Sequence, residues 1–423
     1  MRICVASEFG EGLWLGWKMA QEGHDVSAVV HNERYASALG GLIEVMPGAE
    51  VYVASKYDLV VFDCTGNGRA ADEAAQEAPT IGDSVLADRL EADREFALAF
   101  MVRCGLTVAP YEIFDDPSDG IRYIKKRNKR LVFKPIGEQD DKATTYCACD
   151  SDDMLRYFDV LFRSAKVKRY LLQDFVEGVE VSTEVYLNAN GHYALNHTLE
   201  TKKLMNHDLG PNTGCSGSLC WIPKTENPIF KKGLQKCIEP LQEMGYVGPI
   251  DLNTIVTPDG GCYALEFTPR FGYDATALLT RLLPVGFGEF LYAVAASAER
   301  VPDLSATHPF CASVRLSVPP YPSEGLPEKF YKEGVPIDGL REKELENFFA
   351  YDVQMKENGE FETAGLCGWI GSPLCCGENI GYAFDAAYGM LSRLKVPNAQ
   401  YRTDICENTA RRYYLLREKG WLK

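Results

Sequence analysis

The feature of this sequence that most constrains its fold is a predicted β-hairpin in the middle of the chain. Two segments of alternating apolar and polar residues, 249–256 and 263–272, flank a Pro-Asp-Gly-Gly turn at 258–261. This arrangement is typical of a hairpin. Because side chains repeat every second residue along a strand, Asp251 and Glu266 can lie on one face. Two neighbouring carboxylates are costly unless a cation neutralises them, although a surface hairpin with solvated acids is the alternative.

Length and composition indicate a globular protein with more than one domain. A chain of 423 residues, 46% of them apolar and 25% charged, has room for two or three ordinary cores. No apolar run approaches the ~20 residues that span a bilayer. The N-terminus enters a predicted strand directly, without the layout of a signal peptide. We therefore expect a cytoplasmic protein with no membrane partner.

Charge and cysteine spacing exclude two further classes of site. A net charge of −16 disfavours direct nucleic-acid binding, which needs an excess of Lys and Arg, but allows a small anion in a local basic pocket. The 14 cysteines include no CxxC pair, which favours reduced thiols over a zinc site. No segment has the pattern of an obligate interface, so we expect a monomer or a weak homodimer.

The first 95 residues alternate predicted strands with helices. Strands at 2–6, 25–30 and 58–63 and a helix at 13–21 predict a parallel sheet that binds ligands at its C-terminal strand ends. One loop at that edge, 7–12, carries two glutamates, which would repel a phosphate. The other loop at that edge offers Arg69 and free amides, which would attract one. Neither loop has the GxGxxG spacing of a dinucleotide site.

Two lysines and the end of a predicted strand indicate a nucleotide-binding site. Lys134 lies on an apolar predicted strand and Lys142 follows across a polar turn; together they can clamp a polyphosphate, although a lysine that reaches solvent at a strand end is the alternative. The strand at 170–174 runs into a turn closed by Gly178. Its backbone can bind an adenine edge, with Glu180 placed for ribose hydroxyls, although an ordinary strand–turn–strand is the alternative. A helix over 86–102 is also predicted.

A polar loop is predicted at 201–214, where Lys202, Asp208 and Asn212 are candidates to orient a substrate. Beyond it, apolar helices are predicted near 275–283 and 287–298. Residues 301–423 are predicted to form a separate unit with strands and a long helix.

The order of these residues resembles the ATP-grasp superfamily, and within it the phosphoribosylamine–glycine ligases. Residues 208–214, D-L-G-P-N-T-G, are similar to that family's D-T-G-P-N-T-G, and 266–272, E-F-T-P-R-F-G, resemble its E-F-N-x-R-F-G. Residues 177–180 resemble E-G-x-E, and 401–405 resemble Y-R-x-D-I. Val-Phe-Lys ending at Lys134 resembles V-V-K. The similarity extends over nearly the whole chain.

The resemblance implies a mixed α/β fold, α+β in parts. It implies a Rossmann-like substrate domain over 1–95, an ATP-grasp domain over 96–305 with a small lid lobe at 126–190, and a C-terminal α+β domain over 306–423. It also implies ATP with Mg²⁺ or Mn²⁺, and amide formation through an acyl phosphate with release of ADP.

The resemblance assigns roles to individual residues. The nucleotide-binding residues are Arg94, Lys134, Lys142, Gln173, Asp174, Phe175, Val176 and Glu180. The metal ligands are Asp251, Glu266 and Thr268, the substrate-binding residues are Asp208, Asn212, Thr213, Gly214 and Arg69, and the catalytic residues are Arg270 and Lys202.

Departures from the family pattern concentrate where the amine acceptor binds. The family's G-x-G-G-R-E-H-A-L is S-E-F-G-E-G-L-W-L at 7–15, and D-P-E is Y-D-A at 273–275. The A-G-K-G loop is D-D-K-A at 140–143, and Thr268 replaces an asparagine. We therefore expect an ATP-dependent ligase that joins a small amino acid such as glycine to an amine other than phosphoribosylamine, a modified nucleotide or base among the candidates. An authentic phosphoribosylamine–glycine ligase and a non-catalytic nucleotide-binding protein are the alternatives.

Overall fold

The structure is a computed structural model that describes residues 1–46, 53–137, 145–164, 167–298, 300–302, 304–323 and 326–423. Within these residues, the strands form five sheets. The strands of the described residues, β1 to β23 in chain order, are Arg2–Ser7, Asp25–Val30, Val45–Met46, Leu59–Phe62, Thr80–Ile81, Thr107–Val108, Tyr111–Phe114, Leu131–Pro135, Tyr146–Cys147, Tyr170–Asp174, Val179–Asn188, Gly191–Met205, Leu209–Trp221, Gly248–Val256, Cys262–Thr268, Phe310–Val314, Leu316–Ser317, Glu333–Pro336, Phe348–Ala350, Gln354–Met355, Phe361–Ala364, Trp369–Pro373 and Cys375–Gly377. The helices, α1 to α12, are Leu13–Gln21, Gly68–Ala74, Val85–Ala92, Arg94–Arg103, Pro117–Arg127, Ser151–Ser164, Pro228–Lys232, Gln235–Glu243, Tyr273–Leu282, Phe287–Ala295, Ile380–Leu391 and Ile405–Glu418.

The N-terminal sheet confirms the parallel arrangement that the sequence predicts. Its strand order is β3-β2-β1-β4-β5, and every pairing is parallel. The central strands β1 and β4 are apolar and buried, as expected for strands that are covered on both faces. Their C-terminal ends lead into the loops at 7–12 and 63–67, which therefore lie side by side.

The central sheet has eight strands in the order β23-β16-β13-β12-β11-β14-β15-β6. The predicted hairpin is present as β14 and β15, joined through a turn in which Gly260 has a φ of +95°. Strand β15 ends at Thr268 rather than at 272, because Pro269 has no backbone N–H to continue the ladder.

The predicted polar loop at 201–214 is instead the end of a long hairpin. Strands β12 and β13 pair as far as Lys203 with Asn212 and Met205 with Leu209, and a short 3₁₀ turn at 206–208 connects them. The polar residues of this segment misled the prediction because both strands pass beyond the core at this end.

A smaller sheet, β7-β10-β8-β9, packs on helices α5 and α6 through the aromatic residues Phe133, Phe158 and Tyr170. The predicted helix at 86–102 is divided into α3 and α4 at Asp93. The Asp93 carboxylate accepts a hydrogen bond from the backbone N–H of Phe96 at 2.9 Å, so that it caps α4, which begins at Arg94.

The C-terminal third contributes to the central sheet as well as to two small sheets of its own. Strands β16 and β23 extend the eight-stranded sheet, and β17-β22-β19 and β18-β21-β20 form the others. Domain boundaries near 95 and 305 stay predictions. Among the described residues, no single helix meets the length and apolarity needed to cross a membrane; α9 and α10 meet them only as a pair bent by 111°.

A buried histidine makes the central sheet sensitive to acid. His197 on β12 is fully buried between Thr183 at 3.0 Å and Asn227 at 2.8 Å, and burial lowers its pKa to about 4. The unfolded state takes up this proton near pH 6.5, so stability falls as the pH drops from 6.5 to 4, by up to about 3 kcal/mol. Urea unfolding across this pH range should show this slope. His197→Gln should flatten it, whereas His192→Gln, at a partly exposed site, should not; equal slopes in all three proteins would contradict the assignment.

Candidate active site

A cleft of about 1390 Å³ lies over one face of the central sheet. Its floor comes from β11, β12, β14 and β15. The small sheet supplies one wall, and the N-terminal loop at 7–12 and parts of the C-terminal third supply the other. The cleft therefore brings together segments from the whole length of the chain.

Acidic and hydroxyl side chains form two rows across the floor. In one row, Asp251 on β14 pairs with Glu184 on β11 and with Thr268 on β15. In the next row, Asn253 pairs with Glu266 on β15. Asp251 and Glu266 thus lie diagonally on one face of the hairpin, as the alternation of the strands predicts, and both line the cleft.

Two of these carboxylates carry buried oxygen atoms without a hydrogen-bond partner among the described residues, Asp251 Oδ1 and Glu184 Oε2. Burial raises the pKa of Asp251 well above its usual value, and the neighbouring Glu184 raises it further. Burial also raises the pKa of Glu184 to about 7, although a hydrogen bond from Asn196 opposes this.

Such orphaned oxygens fit a hard cation. In the described part of the chain, no three His, Cys, Asp or Glu side chains form a metal site by themselves. Magnesium bound with nucleotide phosphates needs only one or two carboxylates, because phosphate and water supply its other ligands. Asp251, Glu266 and Thr268 are the residues that we expect to hold it, and Glu184 is an additional neighbour.

Basic side chains face these acids. Lys202 on β12 lies 2.6 Å from Glu180 and 3.8 Å from Glu200. Burial disfavours its charged form, but these two carboxylates and Glu266 outweigh burial and raise the pKa of Lys202. Lys134 differs from Lys202 in the direction of its pKa shift. Burial lowers the pKa of Lys134, and the attraction of Glu266 only partly offsets this effect.

Two arginines complete the basic side of the cleft. Arg94 donates to the backbone oxygen of Pro135 at 3.1 Å, and burial lowers its pKa. Arg270 Nε lies 3.2 Å from both carboxylate oxygens of Glu91, which orients its guanidinium. Burial disfavours the charged form of Arg270, but Glu91 outweighs it and raises the pKa.

The last residues of β10 and the segment that follows them line the cleft. Gln173 donates to the backbone oxygen of Ala109 at 3.2 Å, and the backbone N–H groups of Asp174 and Phe175 bond to other backbone oxygens. Arg130 stacks on the Phe175 ring at 3.4 Å. No hydrogen bond from the Val176 N–H to any described residue is present, so this donor is available to a ligand.

Some predicted residues are not at the cleft. Lys142 lies outside the described residues. The Asp208 carboxylate accepts hydrogen bonds from Arg402 at 2.8 Å and Asn408 at 3.2 Å, so it ties the β12–β13 hairpin to the C-terminal segment instead of orienting a substrate. Arg69 is exposed on α2 and does not line the cleft, because the helix directs it to solvent.

The remaining substrate-binding candidates, Asn212, Thr213 and Gly214, line the cleft. The Thr213 hydroxyl donates to the backbone oxygen of Lys202 at 2.8 Å, which fixes the hairpin beside the catalytic lysine candidate.

The amides that were predicted to be free for a phosphate are occupied by the chain's own acids. The backbone N–H groups of Gly66 and Gly68 donate to Asp88, and that of Asn67 donates to Asp83 at 2.8 Å. The prediction of a phosphate-attracting loop is therefore wrong.

The neighbouring loop is arranged in the same way. The Ser7 hydroxyl and the Gly12 N–H donate to Asp63 Oδ2, at 2.5 and 2.7 Å. A Cβ atom at position 12 would lie 2.5 Å from the Asp63 Cβ, so only glycine permits this approach.

Several residues that line the cleft are not among the predicted site residues, among them Glu184, Arg315 and Glu11. Glu184 lies four residues after Glu180 on one strand, and this even spacing, visible in the sequence, places both side chains on the same face. Arg315 is buried, pairs with Asp274 at 2.5 Å and stacks on Trp369 at 3.7 Å. Its partners are distant in the chain, so no local pattern reveals it. Glu11 lines the cleft, although the sequence indicated only that it would repel phosphate.

Removal of the buried charge at Asp251 should stabilise the metal-free protein. Because its pKa is raised, Asp251 favours folding at low pH, and this contribution is lost as the pH rises. We expect the free energy of unfolding of Asp251→Asn, measured by urea unfolding, to exceed that of wild type by about 1–3 kcal/mol at pH 7, and the difference to vanish near pH 3.

Mg²⁺ should raise the unfolding temperature of wild type more than that of Asp251→Asn. Asp259→Asn, at the exposed turn of the same hairpin, is the control and should behave like wild type. Equal Mg²⁺ responses in wild type and Asp251→Asn would contradict the metal assignment.

Comparisons with known proteins agree with this geometry. Residues 92–276 match the family model described as phosphoribosylglycinamide synthetase, ATP-grasp (A) domain. A phosphoribosylamine–glycine ligase from Leptospira interrogans is 25% identical over 347 residues, which cover 79% of each chain.

Solved structures show the same fold. A phosphoribosylamine–glycine ligase from Thermotoga maritima superposes with a TM-score of 0.75 at 21% identity, over 96% of this chain and 100% of that one. The biotin carboxylase domain of 2-oxoglutarate carboxylase from Hydrogenobacter thermophilus, solved with MgADP and bicarbonate, gives 0.66 at 14% identity, over 100% and 98%. Residues 92–276 thus match an ATP-grasp domain, and the chain is similar in sequence and fold to phosphoribosylamine–glycine ligases.

Proposed function

We propose that this protein is an ATP-dependent ligase that joins a small amino acid, glycine or a close analogue, to an amine other than phosphoribosylamine. The observation that supports this proposal is that the backbone amides of the two N-terminal loops already bind acidic side chains of the chain itself. Their hydrogen-bond donors are directed at Asp63, Asp83 and Asp88, so an incoming phosphate would have to displace built-in carboxylates. Desolvation and like-charge repulsion both oppose that exchange.

The other end of the cleft keeps the groups that ATP chemistry needs. Arg94 and Lys134 are basic, lie within the cleft and face Glu266. The free Val176 N–H suits the edge of an adenine base. Magnesium, when bound, neutralises the phosphate oxygens at the carboxylate rows of the floor. The nucleotide end is therefore suited to ATP, while the acceptor end differs from a phosphate site.

The proposed reaction has two steps. A carboxylate oxygen of the amino acid attacks the γ-phosphorus, the bond to the β-phosphate oxygen breaks, and ADP leaves. The acceptor nitrogen then attacks the acyl carbon, and inorganic phosphate departs. Lys202 and Arg270 place fixed positive charge beside the transferring group, and Glu180 and Glu91 hold them in position. Asn212 and Gly214 line the side where the amino acid would lie.

Trapping with hydroxylamine tests the first step without knowledge of the acceptor. With ATP, Mg²⁺ and a panel of small amino acids, hydroxylamine should convert the acyl phosphate to a hydroxamate with release of one ADP. Failure with every donor, despite ATP binding, would support the alternative of a non-catalytic nucleotide-binding protein. Amide formation only with glycine and phosphoribosylamine would support the authentic enzyme of purine synthesis.

Glu266 provides a direct test of the floor of the cleft. Glu266→Ala should reduce ADP formation by about 100-fold or more, because it removes a metal ligand and a counter-charge for Lys134. Circular dichroism should show that the fold is intact. The control, Glu243→Ala at the exposed end of α8, should keep wild-type turnover. Turnover within threefold of wild type in Glu266→Ala would remove this residue from the site.

A further inference from the structure

The acceptor end of the cleft has a distinctive lining. Glu11, from the loop at 7–12, lies beside Tyr273 at the start of α9, and both side chains line the cleft. Glu11 Oε2 is buried and has no hydrogen-bond partner among the described residues. A buried carboxylate oxygen without a hydrogen bond destabilises the protein unless a ligand donates a hydrogen bond to it.

Aromatic side chains line the cleft together with this carboxylate. They are Phe9, Tyr35, Tyr351 and Trp369; Tyr351 lies close enough to Glu11 to interact with it electrostatically, and Trp369 packs against Tyr351 at 5.2 Å. Phe9 packs edge-on against Tyr35 at 5.5 Å, and the Tyr351 hydroxyl donates to the Phe9 backbone oxygen at 2.8 Å. The Phe9 ring is 41% exposed, so its surface remains open to a bound molecule. An acid within an aromatic wall is a favourable setting for an organic cation.

The cations near Glu11 already have acidic partners. Arg270 is held by Glu91, and Arg315 by Asp274 at 2.5 Å. Glu11 forms an ion pair with neither of them, although both lie close enough to influence it. The negative charge at this end of the cleft is therefore only partly compensated by the described residues.

The protonated and the charged forms of Glu11 are both populated near neutral pH. Burial raises its pKa to about 7, with a contribution from Asp63, while Arg270, Tyr273 and Arg315 oppose the rise. The other titratable groups that interact with it are Cys64, Tyr351 and Cys367. A carboxylate with this pKa can both bind a cation and accept a proton.

We infer that the acceptor is a primary alkylamine that enters as its ammonium ion, and that Glu11 binds this ion and accepts its proton. The inference rests on the proposed function, because it concerns the second step of that reaction. The alkylamine can be a free small molecule or an aminoalkyl group on a nucleoside, which share the same ammonium chemistry.

The proton balance of the step is simple. The ammonium ion transfers one proton to the Glu11 carboxylate, and the freed lone pair attacks the acyl carbon. The carbon–oxygen bond to phosphate then breaks, and the second proton of the nitrogen leaves with the departing phosphate. The products are the amide, hydrogen phosphate and a protonated Glu11, which releases its proton to solvent.

The experiment compares wild type, Glu11→Gln and Glu8→Gln. Glu8 is in the same loop but does not line the cleft, so its variant is the matched control. The acceptors are butylamine and phenethylamine, aminomethyl-substituted nucleosides, aniline and 5-phosphoribosylamine. Hydroxylamine trapping is run in parallel, because hydroxylamine is neutral at pH 7 and does not need an ammonium site.

We expect wild type and Glu8→Gln to use one of the alkylamine classes. Glu11→Gln should raise the KM for that amine at least 10-fold, leave the KM for ATP and the hydroxamate yield unchanged, and lose the rise of kcat/KM near pH 7. Glu11→Asp should recover part of the activity.

The outcomes separate the two claims. Hydroxamate formation by wild type together with use of only aniline or 5-phosphoribosylamine would overturn the ammonium inference and leave the ATP-dependent first step intact. Alkylamine use that is unchanged in Glu11→Gln would also overturn it. Failure to form hydroxamate with any donor would refute the proposed function itself, and the inference with it.

Discussion

The cost of burying carboxylates on the floor of the cleft is the constraint on which the rest of the site depends. Asp251 and Glu184 face each other across β14 and β11, and each has an oxygen without a partner among the described residues. A sheet that carries such a row gives up stability unless cations complete it. Lys202 and Lys134 supply part of the positive charge, and a bound Mg²⁺ would supply the rest. In the proposed reaction, cation binding and catalysis both depend on this uncompensated negative charge.

At the other end of the cleft, backbone hydrogen-bond donors need partners, rather than buried carboxylates. Backbone N–H groups at the strand ends of a parallel sheet form a natural anion site, and here the anions are the side chains of Asp63, Asp83 and Asp88. The loops are thereby held by hydrogen bonds to acidic side chains and carry negative charge. Glu11 adds a further acid at the surface that a substrate meets. In a fold shared with a phosphoribosylamine–glycine ligase of known structure, the strand-end loops of this chain thus carry negative charge.

Periodicity was enough to predict the parallel sheet and the central hairpin, because both follow from local patterns of burial. It was also enough to place Asp251 and Glu266 on one face. Asp208 does not line the cleft. Its partner, Arg402, lies 194 residues away, so only the folded chain shows that the motifs at 208–214 and 401–405 contact each other. Arg69 failed for a similar reason, since the loop that precedes it is closed by acids from α3 and from the segment before it.

In the proposed reaction, the amino-acid carboxylate is phosphorylated before the amide forms. The most direct test is oxygen transfer from a donor labelled with ¹⁸O in both carboxylate oxygens, in the presence of ATP, Mg²⁺ and an accepted amine. One labelled oxygen should appear in inorganic phosphate for each amide formed, as measured by the ³¹P isotope shift or mass spectrometry. Amide or ADP formation with unlabelled phosphate would contradict the acyl phosphate and, with it, the central claim.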